Sequence, residues 1–118
     1  MTHAPHDTGR AAEERAHAYL IEQGLRPLTR NFRIRRGEID LIMADNDEVV
    51  FVEVRARERG QFGDGIDSIT RSKQRRLVAA AAAWLQRQTA EPATRFDVVA
   101  VTPDGSMEWV RDAFRADD

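Results

Sequence analysis

Two carboxylates stand in stretches that otherwise read as core. Asp40 interrupts the apolar run GEIDLIMA (37–44), and Glu53 sits inside Val50-Phe51-Val52-Glu53-Val54. Burying an unpaired carboxylate is costly, so each must meet a cation or lie on an open face. Period-2 alternation puts Phe51, Glu53, Arg55 and Arg57 on one face of a strand, and a hairpin paired in register lets Asp40 and Glu53 meet. Two convergent carboxylates with a backbone carbonyl and waters make an oxygen-rich site for Mg²⁺ or Mn²⁺, which acidifies water and polarises a phosphoryl group. Glu13 can join them from a helix, where it borders the buried stripe, whereas Glu14 points further round. The competing arrangement is a set of cross-strand ion pairs joining Asp40 and Glu53 to Arg33, Arg55 or Arg57 on a solvated face.

The elements that must position these groups follow from periodicity. Ala12, Ala16, Tyr19 and Leu20 repeat at helical spacing, so a helix is expected over Thr8–Gln23, capped by Asp7 or Thr8 and stopped at Gly24. Between residues 25 and 57 the period becomes 2. Strands are expected at Leu28–Arg35, at 37–44 and at Val49–Arg57, the last two joined by the polar turn Asp45-Asn46-Asp47 as an antiparallel hairpin. In the second strand Ile39, Leu41 and Met43 are expected on one face, and Glu38, Asp40 and Ile42 on the other. A glycine-rich loop, GQFGDG (60–65), suits an active-site edge or a connector. A second helix over Arg71–Arg87 carries the stripe Leu77, Val78, Ala81, Trp84 and Leu85. A buried strand Arg95–Val101, the turn Pro103-Asp104-Gly105 and an edge strand Met107–Val110 complete the order αβββαββ, an α/β fold with one mixed central sheet flanked by helices.

At 118 residues, 42% hydrophobic and 32% charged, the chain is one domain able to build one core. Residues 1–8 are expected as a flexible start, 9–111 as the domain and 112–118 as an acidic tail. With no cysteine, a disulfide framework, a thiolate nucleophile and a Cys-ligated zinc are excluded. The longest apolar run, residues 78–85, is far below the roughly 20 residues of a membrane span. No secretory signal stands at residues 1–10, so the expected location is cytoplasmic.

Eighteen basic against twenty acidic residues give a net charge of −2, which by itself argues against a polyanion partner. The distribution argues otherwise. Five arginines and no acid occupy residues 26–36, four basic residues occupy 71–76, and five acids against two arginines occupy 104–118. All the basic residues but Lys73 are arginine, the side chain whose fork matches phosphate bidentately.

The succession AEERAHAYL (12–20), RNFRIRRGEIDLIMA (30–44), VFVEVRAR (50–57), KQRRL (73–77) and RFDVVAV (95–101) resembles the YraN-like family of small bacterial proteins over nearly the whole chain. That family is grouped with the endonucleases of the PD-(D/E)XK superfamily, near the archaeal Holliday-junction resolvases. The resemblance implies a restriction-endonuclease-like core, a Mg²⁺-dependent hydrolysis of DNA and a substrate that is branched or damaged. It assigns the superfamily's helix-borne acid to Glu13, its metal-binding aspartate to Asp40 and its second acidic ligand to Glu53. Glu38 matches a family position without a ligand role, and Lys73 and Gln74 match the motif opening the second helix. The superfamily's lysine falls on Arg55. Arginine stays protonated, so Arg55 cannot be a general base, although it can stabilise transition-state charge.

Lys73 then has two readings: a helix-start residue with its ammonium in solvent, or a relocated counterpart of that strand lysine. Arg33, Arg35, Arg36, Arg57, Lys73, Gln74, Arg75 and Arg76 are the expected contacts to nucleic acid, through backbone phosphates. His3 and His6 lie in the start of the chain and His17 on the helix surface, with no ligand constellation. Phe32 and Phe62 neighbour basic residues, and core packing is expected for Phe32. A homodimer would suit a two-strand cut. Two alternatives to an active nuclease stand: a nucleic-acid-binding module without turnover, and a protein-interaction domain whose acidic tail meets a basic partner.

Overall fold

The computed structural model describes residues 5–57 and 69–116, so the glycine-rich loop and Phe62 lie outside the described residues. Helix α1 (Pro5–Glu22) starts three residues before the expected Thr8. Its end is as read: Gly24 takes φ +100°, and the Leu25 amide closes back on the Leu20 carbonyl. Strands β1 (Arg26–Ile34), β2 (Gly37–Asp45) and β3 (Glu48–Ala56) follow, then α2 (Arg71–Gln86), β4 (Thr94–Val101) and β5 (Met107–Phe114). One five-stranded sheet results, in the order β1-β2-β3-β4-β5. Its pairs are antiparallel except β3–β4, which are parallel and joined through α2. This is the expected α/β order αβββαββ with a mixed sheet, compatible with a nuclease-like core.

The alternation of β3 sorts its side chains between two helices. Val50 and Val52 join Leu41, Met43, Val99 and Val101 beneath Ala12, Ala16 and Leu20 of α1. Val49 and Phe51 join Ile39, Ile42 and Phe96 beneath Leu77, Ala80, Ala81 and Trp84 of α2. Each face buries an apolar layer, which at about 25 cal/mol per Å² is the main driving term of the fold. The Trp84 indole N–H also donates to Thr29 Oγ1 at 3.1 Å, tying α2 to β1.

In β2 the expected alternation fails. Ile39 lies with Ile42 under α2, while Leu41 and Met43 face α1. Strand β1 breaks at the same level: Thr29 and Phe32 both face α2, with Arg30 turned to Glu14 on α1 and Asn31 at φ 52° between them. A left-handed residue in β1 opposite Asp40 shifts the facing of both strands together. Strand β5 also runs further than expected, past residue 111 to Phe114, because Phe114 is buried and stacks on Phe96 at 4.8 Å.

Candidate active site

The β2–β3 ladder runs from Asp45↔Glu48 to Leu41↔Val52 and stops there. Below that level β2 continues against β1 and β3 against β4, so the sheet forks. Asp40 sits at the fork, and its Oδ2 accepts the Val54 amide at 2.8 Å, in place of a strand carbonyl. The next inward residue of β3 after Phe51 is Glu53. Asp40 and Glu53 are 8% and 9% exposed and lie close enough for the charge of Asp40 to act on Glu53. Burial first, then the charge of Asp40, pushes Glu53 up to about 7. Burial also raises Asp40, against the hydrogen bond from the Val54 amide that lowers it.

Glu13 of α1 reaches the same group. Burial and the charges of Asp40 and Glu38 raise its pKa, and Arg30 lowers it. The cation of the site comes from the other helix: Lys73 Nζ lies 3.2 Å from Glu53 Oε2. Lys73 is exposed at the helix start, as one reading has it, and also pairs with Glu53. Thr70 caps α2 by accepting the Lys73 amide at 3.0 Å, and this fixes the helix start over the end of β3, within reach of Glu53. Arg55, the next residue on that face, is half-buried beside Glu53; burial and Arg57 lower its pKa while Glu53 raises it.

Beside this cluster a cleft of about 510 Å³ opens between the β1–β2 turn and α2, lined by Arg33, Arg35, Arg36, Glu38, Lys73 and Arg76. Gly37 makes it possible. A Cβ there would stand 2.2 Å from the Arg76 carbonyl oxygen, so only glycine lets the turn sit against the helix.

A family model described as "Uncharacterised protein family UPF0102" matches residues 12–101. The chain belongs to that family. Among UPF0102 relatives, the protein of Halorhodospira halophila is 56% identical over 111 residues, covering 94% of this chain and 89% of its own. That of Nitrosococcus oceani is 50% identical over 116 residues, 94% of each, and that of Alkalilimnicola ehrlichii 54% over 117 residues, 96% of this chain and 91% of its own. Each bears only the name UPF0102 protein. The match supports the resemblance to the YraN-like family and spans Glu13, Asp40, Glu53 and Lys73.

In this UPF0102 chain the donor set has the chemistry of a hard-cation site. Two buried carboxylates repel each other, with Lys73 paired to Glu53, and a divalent ion would relieve their repulsion. Among the described residues, no three His, Cys, Asp or Glu side chains are gathered to hold one ion. The candidate centre is thus the pair Asp40 and Glu53, with Glu13 beside it and not a three-carboxylate cage.

The remaining expected residues separate. Arg33, Arg35, Arg36, Lys73 and Arg76 share the cleft, Arg33 holding Glu38 with its Nε at 2.8 Å. Gln74 instead donates to the Ile69 carbonyl at 3.0 Å and, with Arg75, borders a different hollow that includes Arg71 and Arg115. Arg57 falls just beyond β3, against Ala12, Arg15 and Pro103. His17 is half-buried, and burial lowers its pKa, so it is not the surface residue its position suggests.

One buried acid escaped the sequence reading. Asp97, fully buried, accepts Arg95 Nε at 3.0 Å, Trp109 Nε1 at 2.9 Å and the Asp112 amide at 2.9 Å. Arg95 also binds Asp45 and Glu48, each at 2.9 Å. The signal was present, an aspartate inside RFDVVAV, and identical in kind to that of Asp40. Asp97 is surrounded by donors, whereas Asp40 and Glu53 also face another acid; the neighbouring like charge, not burial, distinguishes the candidate site.

Proposed function

We propose that this protein is a divalent-cation-dependent DNA phosphodiesterase whose centre is the Asp40–Glu53 pair. The observation that carries this reading is one of charge: Lys73, which pairs with Glu53 of two mutually repelling buried carboxylates, also lines a cleft with four arginines. Asp40 and Glu53 would hold the ion, and Glu13 would orient a water or share the charge. When bound, the ion would supply Lewis-acid stabilisation of the phosphoryl group and a more acidic water. In the hydrolysis the water oxygen bonds to phosphorus, one P–O ester bond breaks, and the leaving oxygen takes a proton. Arg55, always cationic, would offset charge developing on the scissile phosphate. Arg35, Arg36 and Arg76 would grip flanking phosphates, which fixes position without reading sequence and makes affinity fall steeply with salt.

A second reading is carried by Arg55 itself. A guanidinium cannot accept the proton of an attacking water, so a binding module without turnover would use the same cleft and the same salt dependence. The test offers the purified protein linear, nicked and four-way-junction DNA with Mg²⁺ or Mn²⁺, beside Asp40→Ala and Arg55→Lys. Cleavage by wild type that Asp40→Ala abolishes supports the enzyme. Cleavage only by Arg55→Lys supports the binding module, and absence of salt-dependent DNA binding sinks both.

A further inference from the structure

Lys73 belongs to both halves of the site. Its ammonium pairs with Glu53 Oε2 at 3.2 Å, yet the same side chain lines the basic cleft with Arg36 and Arg76 and is 46% exposed. Glu53 is 11% exposed in its side chain and already faces Asp40. A divalent ion held by Asp40 and Glu53 would satisfy the charge that Lys73 now satisfies, and would repel the ammonium at the same time. The side chain is long and flexible, and its helix-borne Cα is fixed by the Thr70 cap, so its head has somewhere else to go. That place is the cleft, where it adds a positive charge next to Arg36 and Arg76.

We propose that the cleft between the β1–β2 turn and α2 is a subsite for a phosphate of the DNA strand, and that Lys73 transfers its charge from Glu53 to that phosphate when a divalent cation occupies the carboxylate pair. This rests on the proposed function, and gives it a coupling: cation and DNA each tighten the other's binding by the same factor, as linkage requires. Lys73 is a positioning residue in this scheme, a placeholder for the ion in one state and a phosphate contact in the other. Arg55 does not substitute for it, because a residue on β3 beside Glu53 does not line the cleft.

The chain's single lysine makes the test direct. Reductive ¹³C-methylation of the intact protein keeps the charge and gives one lysine resonance, apart from the N-terminal amine. That resonance is expected to move when Mg²⁺ is added without DNA, and to move again when a DNA duplex is added. By calorimetry, Lys73→Gln in DNA-free protein is expected to bind Mg²⁺ about threefold or more tightly, since a competing ion pair is gone. By fluorescence anisotropy, the gain in DNA affinity that Ca²⁺ confers on wild type is expected to shrink in Lys73→Gln, while Arg76→Ala weakens DNA binding and keeps wild-type Mg²⁺ affinity. A lysine resonance unmoved by saturating Mg²⁺ overturns the transfer, even if Lys73→Gln fails to fold. So does a Lys73→Gln protein with unchanged or weaker Mg²⁺ affinity, or with the full Ca²⁺-dependent gain. Absence of Mg²⁺ binding to wild type overturns the proposed function along with the transfer; Mg²⁺ binding with a static lysine overturns the transfer alone.

Discussion

The carboxylate of Asp40 accepts the backbone amide of Val54 at 2.8 Å, at the level where β2 and β3 stop pairing. A side chain thus closes the ladder where a strand carbonyl would otherwise stand. This is how an acid comes to lie in a core strand: its oxygen is a structural acceptor as well as a candidate ligand. The two roles are separable by substitution.

Asp40→Asn keeps an acceptor for the Val54 amide and removes the charge, so its stability should match or exceed wild type while Mg²⁺ binding is lost. Asp40→Ala leaves a part-buried amide without its partner, at a cost of about 1–3 kcal/mol. Urea denaturation of the two variants in chelator checks the contrast. Equal stabilities would remove the structural role.

The Glu53 carboxyl, held up to about 7, makes stability depend on pH. Its folded pKa lies above the unfolded value near 4.5, so the proton it keeps stabilises the native state below that value, and this contribution is lost as pH rises through about 7. Glu13 and Asp40 are raised in the same direction. In chelator, the protein should be less stable at pH 8 than at pH 5 by an amount on the order of 2–3 kcal/mol from Glu53. Glu53→Gln should flatten the profile; denaturation curves at the two pH values decide.

Gly37→Ala drives a Cβ into the Arg76 carbonyl at 2.2 Å, and backbone on both sides must give way. A loss of about 1–3 kcal/mol is expected, as for other overpacked sites. The turn that carries Arg35 and Arg36 would lift from α2 and open the cleft. DNA affinity should drop while Mg²⁺ affinity changes little, measured by anisotropy and calorimetry on the same preparation.

Helix α2 starts against electrostatic preference: its first turn holds no acid, and Arg71, Lys73, Arg75 and Arg76 crowd the end that carries the dipole's positive pole. Such an end invites an anion. Replacing the exposed Ser72 by Glu should raise stability by about 0.3–1 kcal/mol and weaken DNA binding. Thermal melts and a salt-dependent binding series would show both, and a variant that gains stability without losing affinity would remove α2 from the interface.

Asp97→Ala leaves half-buried Arg95 with Asp45 and Glu48 but strips the Trp109 indole N–H and the Asp112 amide of their acceptor, and should cost about 1–3 kcal/mol. Its Mg²⁺ affinity should stay near wild type at temperatures where it is folded, in contrast to Asp40→Asn.

Local pattern was enough for the order of elements. Phe51 and Glu53 share the α2 face because alternation along β3 is uninterrupted. Gly24 stops α1 because a left-handed residue without a Cβ has one obvious place to stand. Ile39 shows where such rules end: its facing depends on Asn31 in the neighbouring strand and on the Asp40–Val54 bond, neither of which is encoded in the period of β2. Asp97 and Asp40 look alike in sequence and differ only in what surrounds them.

The residue types alone determined that this chain has an α/β fold with two acids in core strands, arginine-rich segments and a single lysine. Those follow from composition and short-range spacing, which the chain carries in full. Tertiary structure decided that Asp40 and Glu53 meet with Glu13 beside them, that Lys73 reaches Glu53 across from α2, and that Arg57 and Gln74 are drawn elsewhere. These contacts join residues up to tens of positions apart, and only the fork in the sheet, the Thr70 cap and the missing Cβ of Gly37 set the distances between them.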